Sequence, residues 1–154
     1  MSENNNIHKV KMSNKGKKIY LPTTTYRDQF IQNFKIIYPL GGTEESPATI
    51  TTSREYTEPN PFPGYYINII PEVLYAGIWA DPGFANFCQN NVFYSWGVRT
   101  TQFNGQINII TGTNCILCEN TYKFNIQMHP FKSVSARVYT MPIRLKVWKI
   151  GVMD

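Results

Sequence analysis

YKFNIQMHPFKSVSARVYTMPIRLKVWK, residues 122–149, is the stretch whose reading decides the fold. Tyr122, Phe124, Ile126 and Met128 alternate with Lys123, Asn125, Gln127 and His129. Val134, Ala136 and Val138 alternate with Ser135, Arg137 and Tyr139, and Ile143, Leu145 and Val147 alternate with Arg144, Lys146 and Trp148. A period of two sends successive side chains to opposite faces of a strand. Three amphipathic strands are therefore expected, with breaks at His129–Pro130 and Met141–Pro142. One face would be apolar and buried. The other would carry Lys123, Arg137, Arg144 and Lys146 with Tyr139 and Trp148 among them, a basic surface on which the two rings could stack on bases of a single-stranded nucleic acid or line a subunit interface.

Working outward, the same grammar continues. Asn104–Gly105 between apolar runs is the signature of a type I′ hairpin, pairing Val92–Thr101 with Gln106–Thr111, and Gly97 inside the first of these is a candidate bulge. Asp81-Pro82-Gly83 is a turn. Tyr65–Ile70 and Val73–Trp79 read as two strands separated by Pro71, and Phe30–Tyr38 as a strand closed by Pro39 and Gly41–Gly42. Lys18–Thr25 reads as a short extended segment that Pro22 confines to an edge. Thr43–Pro63, with Pro47, Pro59, Pro61 and Pro63, reads as a long connection. No convincing helix and no internal repeat is found. The expected fold is all-β: an antiparallel β-sandwich, jelly-roll-like, of about eight or nine strands. Residues 1–18 form a short basic, Asn-rich N-terminal arm, and 19–154 a single domain.

Charged residues make up only 16% of the chain, so Asn, Gln, Thr, Ser and Tyr must cover the surface, a composition suited to burial against other subunits. The net charge of +5 is unevenly placed. Lys9, Lys11, Lys15, Lys17 and Lys18 crowd the arm, where they could neutralise about five phosphates. Glu44, Glu45, Glu55, Glu58, Glu72 and Asp81 face only Arg54 in the middle of the chain. Basic and acidic zones on one chain can attract copies of itself or a polyanion.

The sequence offers little for catalysis. Its histidines are His8 in the arm and His129 before a proline, and its carboxylates cluster in a connection. No nucleophile elbow, zincin motif or phosphate loop occurs, so no enzyme and no cofactor are expected. Cys115 and Cys118 form a CxxC, which with Cys88 and His129 has the residue types of a Cys3His zinc site. A spacing of three would, however, place the two cysteines on opposite faces of a strand, so no metal site is expected. A thioredoxin-type role would need the CxxC at a helix start. An odd cysteine count, no apolar leader, no N-x-Ser/Thr sequon and no apolar run long enough to span a bilayer point to a reducing compartment and no membrane. The aromatic run Pro59–Trp79 supplies a separate candidate, in which Phe62, Tyr65, Tyr66 and Trp79 would be partly exposed and stack on a sugar or other ligand.

The general plan of a lysine-bearing arm, about eight strands, long Pro-rich loops and few charges resembles that of small single jelly-roll capsid proteins of viruses. It does so in plan, with no motif matched residue by residue. The resemblance implies a non-enzymatic virion or particle subunit, made in a host cytoplasm, with copies of itself or other particle subunits as partners and nucleic acid as a further one. The alternative reading is a monomeric carbohydrate- or ligand-binding β-sandwich.

Overall fold

Residues 7–11, 18–22, 32–119, 130–131 and 134–154 are described by the computed structural model. The chain divides into two units, Met1–Phe34 and Lys35–Asp154. In the first, β1 (Ile7–Lys11) and β2 (Lys18–Pro22) pair antiparallel, from Ile7↔Pro22 to Lys11↔Lys18. The segment read as an arm thus contains a strand.

The second unit holds two antiparallel sheets, as the alternation requires. Sheet one has the order β5 (Glu55–Pro59), β10 (Gln106–Thr111), β9 (Val92–Phe103) and β8 (Phe84–Gln89). Sheet two has the order β3 (Phe34–Ile37), β11 (Thr140–Val152), β6 (Tyr65–Tyr75) and β7 (Ile78–Ala80), with β4 (Thr49–Thr51) also pairing with β11. The chain is an all-β sandwich. Its core is the set of inner-face residues that the period of two selects: Ile50, Ile67, Val73, Val98, Ile107, Ile109, Met141, Ile143, Leu145 and Val147, joined by Phe62, Ile116, Leu117, Phe131 and Val134 from connections.

Three two-residue hairpins set the register. Asn104 and Gly105 have φ of 50° and 72°, the left-handed pair that a type I′ turn demands. Asn90–Asn91 and Ala76–Gly77 use the same conformation, with Ala76 paying the steric cost of a Cβ at positive φ. Gly97 has φ of +90°, and a Cβ there would lie 1.8 Å from the Gly83 carbonyl oxygen. Its alternation partners on β9 keep their faces, because Ser95 and Gly97 bond toward the residues after β10 while Val98 donates to Gly83 O on the β8 side. The glycine therefore marks a close backbone approach.

Side chains join the sheets at two corners. At one, Gln102 and Thr100 of β9 reach the edge of β6: Ile67 N donates to Gln102 Oε1 at 3.0 Å, Gln102 Nε2 donates to Tyr65 O at 2.8 Å, and Thr100 Oγ1 donates to Ile69 O at 3.4 Å. At the other, the chain passes from β4 in sheet two to β5 in sheet one through Ser53 at φ 55°. The buried Thr111 hydroxyl holds that bend. It accepts from Arg54 N at 2.9 Å and shares its proton between Thr51 O at 2.7 Å and Arg54 O at 3.2 Å.

Several sequence expectations are corrected. Pro71 does not separate two strands; β6 runs through it, opposite Leu145. β7 pairs with Val73–Tyr75, so among the described residues the β6 edge away from β11 has no ladder at Pro71, and a missing N–H costs nothing there. Pro142 likewise lies inside β11, opposite Thr49. Thr43–Pro63 contains β4 and β5 and is not one long connection. Val134–Tyr139 is not a strand: among the described residues, Val138 makes only an isolated bridge, to Leu117. Phe84–Gln89, read as no element, is β8. The alternation expected at Tyr122–His129 lies outside the described residues.

Candidate functional site

Alternation along β11 does place Arg144, Lys146 and Trp148 together on the outer face of sheet two, half-buried. The register then brings Glu72 directly opposite Arg144. Arg144 Nε donates to Glu72 Oε2 at 2.6 Å and Lys146 Nζ to Oε1 at 2.7 Å. Burial of Glu72, only 6% exposed, pushes its carboxyl up. The hydrogen bonds and charges of Lys146 and Arg144 outweigh that and hold it below its ordinary value of 4.5. The Arg144 guanidinium also lies 4.7 Å above the Trp79 ring, which packs T-shaped with Tyr38.

The expectation of an open basic face is therefore corrected. Arg144 and Lys146 neutralise a buried carboxylate, and Arg137 sits on a separate connection, where its Nε meets Glu119 Oε2 at 3.3 Å. Tyr139 is exposed, two residues after Arg137 and immediately ahead of β11. Lys9, Lys11 and Lys18 lie in β1 and β2. Lys15, Lys17 and Lys123 lie outside the described residues.

The expected ligand-binding rings are also dispersed. Phe62 is a core residue, not a partly exposed one, with Lys35 Nζ 5.0 Å over its ring. Tyr65 is half-buried with Lys149 Nζ 4.2 Å over its face, and Arg144 covers Trp79. Of the four, Tyr66 alone is exposed. For the metal candidates, Cys88 is exposed on β8, Cys115 and Cys118 bring their Sγ atoms to 3.1 Å, and His129 lies outside the described residues. No cluster of three metal-ligating side chains occurs among the described residues.

The surface that stands out was not singled out from the sequence. From Pro82 to Val98 the chain carries no charged residue, and it folds into the β8–β9 hairpin. One face carries Phe87, Val92, Tyr94 and Trp96. Phe87 stacks on Tyr94 at 4.9 Å and on Trp96 at 5.3 Å. These positions continue the inner face of β9, yet Phe87 and Val92 are 45% and 49% exposed. The other face carries Phe93, 75% exposed, and Cys88.

Among the described residues, β8 is also the outer strand of its sheet. The Val98 N–H to Gly83 O bond fixes which backbone groups face inward. Ala85, Phe87 and Gln89 bond toward β9, leaving the N–H and C=O of Phe84, Asn86 and Cys88 on the outer edge. Lysine, proline and bulges commonly protect such an edge, and Phe84–Gln89 contains no lysine and no proline. The sequence signal was available in the charge-free run, but FANFCQ lacks a clean period of two.

Comparison with protein-family models, curated proteins and solved structures finds no match to this chain.

Proposed function

We propose that this chain is a non-enzymatic structural subunit of a self-assembling particle, a virion or similar shell, built on a jelly-roll-like sandwich and made in a host cytoplasm. The observation that carries this reading is the uncharged outer edge of β8 with apolar side chains on both faces. An antiparallel copy set about a twofold axis at Asn86 would place Asn86 opposite its own counterpart and Phe84 opposite Cys88. The outward backbone groups then pair in register, and sheet one becomes continuous across two subunits, its uncharged faces running on from one copy to the next. No like charges meet across the axis, because the strand has none. The lysines of β1 and β2 are the candidate nucleic-acid contacts of such a particle, and the Arg144–Lys146 pair is assigned to holding sheet two.

The test is the absolute mass of the nuclease-treated protein by light scattering on a sizing column. Wild type is expected as a discrete multimer. Asn86→Pro removes an N–H that points outward and serves no internal ladder bond, so it should give a folded 17.8 kDa monomer. A wild type that stays monomeric at every concentration overturns the reading.

The stacked Phe87–Tyr94–Trp96 rings support a second reading, a monomeric carbohydrate- or ligand-binding module. It predicts a monomer whose tryptophan fluorescence responds to glycans.

A further inference from the structure

The connection after β10 contains a second built feature. Cys115 bridges to Trp96 of β9, and its carbonyl accepts from Gly97 N at 3.1 Å. Two residues on, Leu117 bridges to Val138: Val138 N donates to Leu117 O at 2.9 Å, and Ile116 N donates to Val138 O at 2.8 Å. The chain is thus pinned to sheet one at Cys115 and to the lead-in of β11 at Leu117. Between these anchors it turns, and the turn undoes the opposite-face arrangement that a strand would impose. The two Sγ atoms come to 3.1 Å, one thiol donating to the other. Cys115 is fully buried and Cys118 half-buried, with the Arg137–Glu119 pair alongside.

We propose that Cys115 and Cys118 are an oxidisable dithiol that closes to an intramolecular disulfide by exchange with a low-molecular-weight disulfide of the glutathione class. A disulfide bond is about 2.05 Å, so the sulfurs need approach by only about 1 Å, within reach of small side-chain rotations. Cys118 is the entry point, being the more accessible of the two. Its thiol loses a proton to solvent, and the thiolate attacks one sulfur of R–S–S–R. The S–S bond breaks and R–S⁻ leaves, taking up a proton. Cys115, deprotonated in turn, attacks the Cys118 sulfur of the mixed disulfide and expels the second R–S⁻. The protein gives up two electrons and two protons, and two R–SH molecules receive them. Burial pushes both thiols above their ordinary value, so the thiolate fraction is small at neutral pH and closure should be slow there and quicken as pH rises. The product would tie together the stretch that links β9 to the approach of β11.

Exposed Cys88 provides an internal control. It has no cysteine neighbour among the described contacts and should stop at the mixed disulfide. The experiment treats the full-length protein with oxidised glutathione, quenches by alkylation, denatures, alkylates again and maps the peptides by mass. The expected result is a Cys115–Cys118 peptide lighter by two hydrogens that takes no alkyl group, whatever Cys88 carries: one glutathione where the β8 edge is free, none where a second copy covers it. Cys88→Ser should leave that closure unchanged, and a reductant should reverse it. The proposal is overturned if the peptide takes two alkyl groups, if Cys118 keeps glutathione, or if the purified protein holds stoichiometric zinc that blocks both thiols.

Discussion

The outer face of sheet two and the β8–β9 hairpin invert what their compositions advertise. The first is rich in cations and aromatic rings, yet its groups answer one another: Glu72 takes both Arg144 and Lys146, and Arg144 covers Trp79. The second has no charge at all, yet its edge backbone and its rings at Phe87 and Phe93 are left over. A surface binds through what remains unsatisfied after folding, and a count of charged residues does not measure that remainder.

The comparison can be broken most decisively at the edge. Asn86→Pro should abolish association outright while far-UV circular dichroism stays that of a β protein. Loss of the folded signal would mean that the edge serves the fold itself. The next effect is at Glu72. Glu72→Gln should destabilise the sandwich by roughly 1–3 kcal/mol in urea unfolding, because a hydrogen-bonded carboxylate between two cations is lost. It also frees two cations, so it should raise salt-sensitive affinity for single-stranded nucleic acid. Unchanged affinity would show that this face has no part in polyanion binding. Charge reversal of Arg144 and Lys146 is less informative, since it crowds three carboxylates and threatens the fold.

The same carboxylate gives a pH signature. Its folded value lies below its ordinary one, so its contribution to stability is present at neutral pH and is lost as pH falls through the folded value. The acid limb of the unfolding midpoint should therefore be steeper in wild type than in Glu72→Gln; coincident limbs would contradict the pairing. The smallest effect is expected at Phe93→Lys. Its side chain is already in water, so stability should move by no more than about 0.5 kcal/mol, while association weakens. A large loss of stability would place that ring in a contact within the subunit.

Much of the sandwich was legible because it follows from local rules. The alternation of Ile143, Leu145 and Val147 has one physical reading, and Asn104–Gly105 names its own turn. The two prolines misled because their cost depends on which strand edge they face, which only the sheet order decides. Val134–Tyr139 has a strand's pattern, yet among the described residues its Val138 makes only a single bridge, to Leu117. The charge balance of the outer face was hidden for a similar reason: Glu72 is 72 residues from Arg144 and meets it only through the register of β6 with β11. The β8 edge was missed because its meaning lies in the ladder it does not make.

β11 follows all the other described strands in sequence and is an inner strand of its sheet, flanked by β6 on one side and by β3 and β4 on the other. During synthesis, β6 can pair with β7 early, but none of the three can reach β11 until residues 140–152 leave the ribosome. At about 5–20 residues per second, the apolar faces of β4 and β6 wait several seconds for their cover. The nascent chain therefore passes through an interval in which half a sandwich is exposed. Chaperone dependence, and the sensitivity of yield to any truncation before Val152, should follow from that order of arrival.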